Sequence, residues 1–155
     1  MNQRFEEKDA FEVYGIERIF RPDEMHKVPE FWKELLENGE EEKLYKETGA
    51  QAQSGGLHCV NAICGYKEDR DEDGDEIFPY LICAFRGPNS DVTGYKAAQV
   101  PKSLWSVFRS DESPSLGDKL PSLFGYAYNE WLPSSGYIRA NGPEMEFYYT
   151  LDNGL

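Results

Sequence analysis

A strand late in the sequence places a carboxyl group beside aromatic rings. The segment Glu144–Thr150 (EMEFYYT) carries Glu146 and Tyr148 at alternate positions, and alternate residues of a β-strand point to one face. A carboxylate removed from water among rings either keeps a proton, at a raised pKa, or binds a cation. Alternation also allows Glu146 to face water. The strand pattern alone favours that exposed placement, because glutamate is seldom buried without a partner.

An acidic stretch, Asp69–Tyr80 (DRDEDGDEIFPY), partly matches the calcium loop of an EF-hand. The residues that fit the early ligand and turn positions of that loop are Asp69, Asp71, Asp73 and Gly74. The last position holds Tyr80 where the loop needs a bidentate glutamate, and the flanking segments have strand patterns instead of helical ones. We therefore predict a solvated acidic hairpin and no metal site.

The sequence lacks the motifs of common catalytic and nucleotide-binding sites. It contains no G-x-S-x-G, G-x-G-x-x-G, P-loop or H-E-x-x-H pattern, and His26 and His58 stand outside any catalytic motif. Cys59, Cys64 and Cys83 have no C-x-x-C spacing, so we expect reduced thiols packed in strands. No cofactor is predicted.

The composition restricts the classes of partner. The 155 residues suit one domain, and the net charge is −13 with a pI near 4.5. Such a surface repels nucleic acid and anionic membranes and favours cationic ligands. No apolar run is long enough to span a membrane, and the opening MNQRFEEKD lacks the features of a signal peptide. We expect a cytoplasmic protein, a monomer or weak dimer, that binds neither nucleic acid nor membranes directly.

The elements that would position these residues follow a repeated order. After a polar arm, the apolar patterns predict strands at Ala10–Phe20, Leu57–Tyr66, Ile77–Arg86, Tyr95–Arg109 and Glu144–Thr150. One helix is predicted from Val28 to about Gly39, and a second from Leu120 to Pro133. This order predicts an α+β fold of duplicated strand-helix-strand-strand units, in which a sheet and two helices form a layer with a central cleft. We predict one domain over residues 1–155, with halves at about 10–87 and 95–155.

Two details of these elements bear on the site. Pro79 argues against a central position for the strand Ile77–Arg86, because proline cannot donate to a sheet ladder. Aromatic residues make up 14% of the chain, which is more ring surface than a core of this size needs. Aromatic side chains on the apolar faces of the two predicted helices, such as Trp32 and Trp131, therefore either line a pocket or belong to the hydrophobic core.

The segment Phe124–Tyr149 carries the most specific pattern of the chain. The turn EWLPSSGY is followed by Pro143, Glu146 and Tyr148 in a p-x-x-E-x-Y strand. This resembles the GyrI-like effector-binding family, which also forms the drug-sensing half of AraC-type and MerR-type regulators. Upstream, FEVYGIERIF, VPEFWKEL, FPYLICAF and QVPKSLWSVFRS resemble that family's elements in the same order. The family pattern continues into a further strand beyond LDNGL, so we expect one wall of the pocket to differ.

The resemblance implies a pocket between the two halves, lined by rings around a central glutamate that matches Glu146. It reverses the preference for an exposed Glu146 that the strand pattern gives. The ligand-binding residues expected from it are Glu146, Trp131, Trp32, Phe124, Tyr128, Tyr148 and Tyr80. Our main hypothesis is therefore a stand-alone protein that binds or senses amphipathic or cationic small molecules.

Two other functions remain open. Some family members hydrolyse strained electrophiles such as cyclopropane-bearing alkylating agents, and in that case Glu146 and Tyr148 would be the catalytic pair. The family's namesake acts on DNA gyrase, and an acidic surface can occupy a basic groove of a partner protein. The chain could then be a protein-interaction module such as a gyrase modulator.

Overall fold

The computed structural model describes residues 2–50, 57–88, 90–109 and 120–151. Within these ranges, seven strands form two antiparallel sheets. The strands are β1 (Asn2–Lys8), β2 (Phe11–Phe20), β3 (Leu57–Cys64), β4 (Phe78–Phe85), β5 (Lys96–Val100), β6 (Ser103–Arg109) and β7 (Glu144–Leu151). The helices are α1 (Val28–Glu37), α2 (Glu40–Glu47), α3 (Leu120–Tyr126) and α4 (Leu132–Ser135), with a 3₁₀ helix at Pro22–Lys27 and a π-helical turn at Ala127–Trp131. The predicted α+β class is confirmed.

Contacts within the chain define two compact units. The smaller comprises Met1–Ala10 and Pro101–Asn141, and the larger comprises Phe11–Val100 and Gly142–Leu155. None of the helices in the described ranges is long and apolar enough to cross a membrane.

The larger unit is a sheet of strand order β5-β2-β4-β3-β7 with α1 and α2 packed on one face. The apolar stripe of α1 drives this packing, since Phe31 and Leu35 are buried in the core beside Leu44 and Tyr45 of α2. The strands approach so closely at Gly15 that a Cβ there would lie 1.9 Å from the carbonyl oxygen of Ile82. Only glycine fits that position.

The smaller unit pairs β1 with β6 and adds the helical segment α3 to α4. The sequence predicts that Pro133 ends the second helix, and this is wrong. Pro133 lies in the first turn of α4, directly after the π-helical turn, and α4 ends at Ser135, followed by Gly136 with a left-handed φ of 78°. The π-helical turn directly before Pro133, in which the Leu132 N–H donates to the Ala127 carbonyl, replaces the i→i−4 pattern that a proline interrupts, and glycine supplies the usual C-terminal stop.

Three strand predictions need correction. The polar arm before Ala10 forms β1, because its backbone pairs with β6 over the full length of both strands. The segment Tyr95–Arg109 divides at Pro101 into β5 and β6, which belong to different sheets. Pro79 lies in the central strand β4, opposite Ile19. It is the second residue of β4, and proline is tolerated where a strand begins.

Candidate functional site

Four of the predicted site residues lie together in the larger unit, on the sheet face that α1 and α2 cover. Trp32 comes from α1, Tyr80 from β4, and Glu146 and Tyr148 from β7. Strand β3 lies between β4 and β7, and it presents the small side chain of Ala62 opposite Glu146. The tyrosine of β4 can therefore reach across β3 to the glutamate of β7.

Hydrogen bonds join these four side chains in one network. The Trp32 Nε1–H donates to the Tyr80 hydroxyl oxygen at 2.8 Å, and the Tyr80 hydroxyl donates to Glu146 Oε2 at 2.7 Å. The Tyr148 hydroxyl donates to the same carboxylate oxygen at 2.8 Å. Because an indole N–H can only donate, the Tyr80 oxygen must accept from Trp32. The single hydrogen of the Tyr80 hydroxyl is then donated to Glu146.

The electrostatics of the network centre on Glu146, which is half-buried. Burial raises the pKa of its carboxyl, the nearby charge of Glu144 raises it further, and the hydrogen bonds from Tyr80 and Tyr148 oppose part of this shift. The pKa of each tyrosine is raised as well, chiefly by burial, so both remain neutral donors. Across the described ranges, no lysine or arginine forms an ion pair with Glu146.

An edge-on ring contact completes this group. The rings of Trp32 and Tyr148 have centroids 5.1 Å apart at an interplanar angle of 72°. Tyr80 also contacts the core rings of Phe20 and Phe31 at about 6.3 Å. The glutamate is therefore held by side chains that are themselves fixed by packing.

The other three predicted site residues belong to the smaller unit. Trp131 is half-buried and makes ring contacts with Phe5, Phe108 and Tyr137 at 5.3 to 6.2 Å. Phe124 stacks on Tyr128 with centroids 6.4 Å apart. That Trp131, Phe124 and Tyr128 line a pocket with Glu146 stays a prediction.

Sequence reasoning did not place Glu144 or Cys64 near the candidate site. Glu144 shares its strand face with Glu146, and the Cys64 thiol donates to Glu144 Oε2 at 3.9 Å. The alternation in EMEFYY contained the signal for Glu144, whereas the contact with Cys64 depends on the pairing of β3 with β7. Cys64 and Cys83 lie in strands β3 and β4, as the sequence predicts, while the side chains of Cys59 and His58 lie outside the described part of the chain.

The acidic hairpin is held together by hydrogen bonds to Asp71. Its Oδ1 accepts the backbone N–H groups of Asp73 and Asp75, and its Oδ2 accepts Arg21 Nη1 at 2.7 Å. Carboxylate oxygens of these three aspartates lie within 4.8 Å of one another. The described contacts account for Asp71 as a turn residue that is also tied to Arg21.

Replacing Tyr80 by phenylalanine is expected to cost more stability than replacing Tyr148. The Tyr80 hydroxyl bonds to both Trp32 and Glu146, whereas among the described residues the Tyr148 hydroxyl bonds only to Glu146. We expect losses of about 1–3 kcal/mol for Tyr80→Phe and about 0.5–1.5 kcal/mol for Tyr148→Phe, measured by urea unfolding at pH 7. Equal losses would show that the Trp32 contact adds nothing.

Comparisons with known proteins agree with this architecture. The family model of the GyrI-like small molecule binding domain matches residues 1–153. The solved structure of SAV2435 bound to tetraphenylphosphonium is 11% identical, with a TM-score of 0.69 over 97% of this chain and 93% of that one. A putative transcription regulation protein from Staphylococcus aureus MU50 is 11% identical, with a TM-score of 0.67 over 97% of both chains.

An integron cassette protein from the mobile metagenome of Vibrio cholerae is 15% identical, with a TM-score of 0.58 over 96% of this chain and 94% of that one. No curated protein matches the chain. At these identities the solved structures establish a shared fold, and the family match covers nearly the whole sequence. The chain, as its EWLPSSGY turn suggested, therefore belongs to the GyrI-like small-molecule-binding domain family.

Proposed function

We propose that this protein binds lipophilic cations at Glu146. The observation that carries the proposal is a half-buried carboxyl whose Oε2 is held by two tyrosine hydroxyls, with no basic side chain of the described residues paired to it. A carboxylate in such surroundings is poorly solvated. A cationic guest supplies the missing countercharge.

The environment of Glu146 favours a lipophilic cationic ligand over a small hydrated ion. Both tyrosine hydrogen bonds go to Oε2, and no described residue donates to Oε1, so this oxygen can accept a ligand. The rings of Trp32 and Tyr148 contact each other in the network that holds the carboxyl, and a ring face that meets the ligand adds a cation–π attraction of about 0.5–2 kcal/mol. The related fold of SAV2435 in complex with tetraphenylphosphonium, a permanent cation with four phenyl rings, supports this ligand class.

Calorimetric titration with tetraphenylphosphonium tests the proposal. We expect saturable binding, and much weaker binding of triphenylphosphine oxide, which offers similar rings without a net charge. The quenching of tryptophan fluorescence provides an independent readout of the same event. Equal affinity for the cation and for the neutral compound would refute a role for the carboxylate charge.

Binding of tetraphenylphosphonium is expected to strengthen as pH rises. The pKa of Glu146 is raised above its ordinary value, so the free protein keeps this proton to a higher pH than an exposed glutamate does. A cation prefers the ionised form, and this cation has no titratable group of its own. Affinity should rise by at most about tenfold per pH unit below the raised pKa and level off above it. Titrations between pH 4 and pH 8 measure this, and a flat profile would contradict it.

The same geometry favours one second candidate, a hydrolase of strained electrophiles. A carboxyl that retains its proton can act as a general acid, and Tyr148 lies within hydrogen-bonding distance of it. Release of a ring-opened product from a cyclopropane-bearing alkylating compound would distinguish turnover from binding alone.

A further inference from the structure

Each polar hydrogen of the network around Glu146 is already donated to another member of that network. The Trp32 Nε1–H is donated to the Tyr80 hydroxyl oxygen, and the hydroxyl hydrogens of Tyr80 and Tyr148 are both donated to Glu146 Oε2. An indole or a tyrosine hydroxyl has a single hydrogen to donate, and an ionised carboxylate has none. These four side chains therefore have no hydrogen left to donate to a ligand.

The groups of the network that remain for a ligand are acceptors. Within the ranges that the structure describes, no group donates to Glu146 Oε1, and none donates to the Tyr148 hydroxyl oxygen. Glu146 is only half-buried, and Oε1 is not one of the fully enclosed side-chain atoms of those ranges that lack a hydrogen bond. A ligand can therefore reach Oε1 from solvent, where it meets an acceptor that carries negative charge.

The packing around Tyr80 keeps this arrangement of donors in place. Tyr80 is 3% exposed, and its ring lies 6.3 Å from the rings of both Phe20 and Phe31. A hydroxyl hydrogen that turned from Glu146 towards a ligand would leave the buried side of the carboxylate with one donor fewer, which is costly. The network is therefore preorganised to accept hydrogen bonds from a ligand and not to donate them.

We propose that the site selects lipophilic cations that carry an N–H group on the charged centre, such as protonated arylalkyl amines, over cations of equal charge without one. The inference rests on the proposed binding of cations at Glu146. An ammonium N–H donates a charge-assisted hydrogen bond to Oε1, and such bonds are roughly twice as strong as those between neutral groups. A quaternary cation supplies the countercharge but covers Oε1 without a donor. Tetraphenylphosphonium belongs to this second class, so it reports only on charge and ring contacts.

A pair of amines that differ only at the nitrogen tests this selection. The N,N-dimethyl and N,N,N-trimethyl derivatives of γ,γ-diphenylpropylamine share the same two rings, and both are monocations at pH 7 because alkylamines have pKa values near ~10. Only the dimethyl compound has an N–H group. In calorimetric titrations of the full chain, we expect it to bind about tenfold more tightly, although the trimethyl compound has more apolar surface to bury. Equal affinities, or tighter binding of the trimethyl compound, overturn the inference.

Two variants connect the selection to the carboxylate. Glu146→Gln keeps a carbonyl oxygen for the two tyrosine hydroxyls and replaces Oε1 by an amide NH₂ group, which is a donor. Both amines should lose affinity, and the dimethyl compound should lose about tenfold more, so that the ratio of the two affinities falls to about one. Glu42→Gln removes an exposed charge on α2 that pairs with Lys46, and it should leave the ratio unchanged. A ratio that persists in Glu146→Gln overturns the inference, because the selection then arises elsewhere.

Failure of this inference is distinguishable from failure of the proposed function. If tetraphenylphosphonium and both amines bind with affinities that depend on Glu146, but the dimethyl compound has no advantage, the proposed function stands and the inference fails. If tetraphenylphosphonium does not bind, or if Glu146→Gln leaves its affinity unchanged, the proposed function itself fails and the inference fails with it.

Discussion

Replacing Glu146 by glutamine is expected to weaken the binding of tetraphenylphosphonium about 100-fold while making the unliganded protein more stable at neutral pH. The loss of affinity corresponds to about 2.7 kcal/mol, which lies in the range seen when one partner of a desolvated charge pair is removed. Glutamine keeps the size of the side chain and an oxygen that can accept from Tyr80 and Tyr148. The variant therefore removes the charge and preserves the network around it.

The gain in stability follows from the direction of the pKa shift. The pKa of Glu146 is higher in the folded protein than its ordinary value, so between these two values the folded state holds a proton that the unfolded chain has lost. Stability falls as pH rises through that window and stays lower above it. Glutamine does not ionise, so Glu146→Gln avoids this loss. We expect its free energy of unfolding at pH 7 to exceed that of the natural sequence by about 1 kcal/mol, a gain typical of substitutions that remove a strained functional group.

Unfolding in urea at two pH values checks the stability part of this prediction. The advantage of Glu146→Gln should be present at pH 7 and absent in acid below the ordinary pKa of glutamate, where the carboxyl of the natural sequence is protonated in both states. Glu42→Gln, which alters an exposed carboxylate of α2, should show no such pH-dependent gain. A variant that is less stable than the natural sequence at pH 7 would mean that burial does not dominate the energetics of Glu146.

The placement of Glu146 could not be derived from its own strand. Alternation in EMEFYY assigns Glu146 and Tyr148 to one face and Met145 and Phe147 to the other, but it does not say which face packs against α1. That information comes from Tyr80, 66 positions earlier, which reaches Glu146 across β3. The contact depends on the strand order, and a local pattern carries no strand order.

The elements that were predicted well are those with a strong local signal. The stripe of α1 and the alternation in β2 gave their bounds within one or two residues. The strand β1 was missed because its sequence NQRFEEK is polar apart from Phe5, whose ring contacts Trp131 and Tyr137. Its strand character comes from pairing with β6, so tertiary structure overrides a weak local propensity there.

The second large effect is expected on stability, from truncation of Phe31 in α1. Phe31 is 1% exposed, and its ring lies 6.1 Å from that of Phe20 and 6.3 Å from that of Tyr80. The guanidinium of Arg18 lies over the same ring, 4.3 Å from its centroid. Removing this side chain leaves a cavity under the sheet and deletes all three contacts. We expect Phe31→Ala to lower the free energy of unfolding by about 3–5 kcal/mol in urea at pH 7.

The same substitution connects the core to the candidate site. Phe31 supports the ring of Tyr80, and the Tyr80 hydroxyl holds Glu146, so a cavity at Phe31 lets Tyr80 move away from the carboxylate. Tetraphenylphosphonium affinity should fall several-fold in Phe31→Ala even under conditions where the variant is fully folded. Leu36→Ala removes a large side chain from the same helix at a position that is 48% exposed, and it should cost under about 1 kcal/mol with no change in affinity. Similar costs for the two variants would mean that α1 is not anchored to the sheet through Phe31.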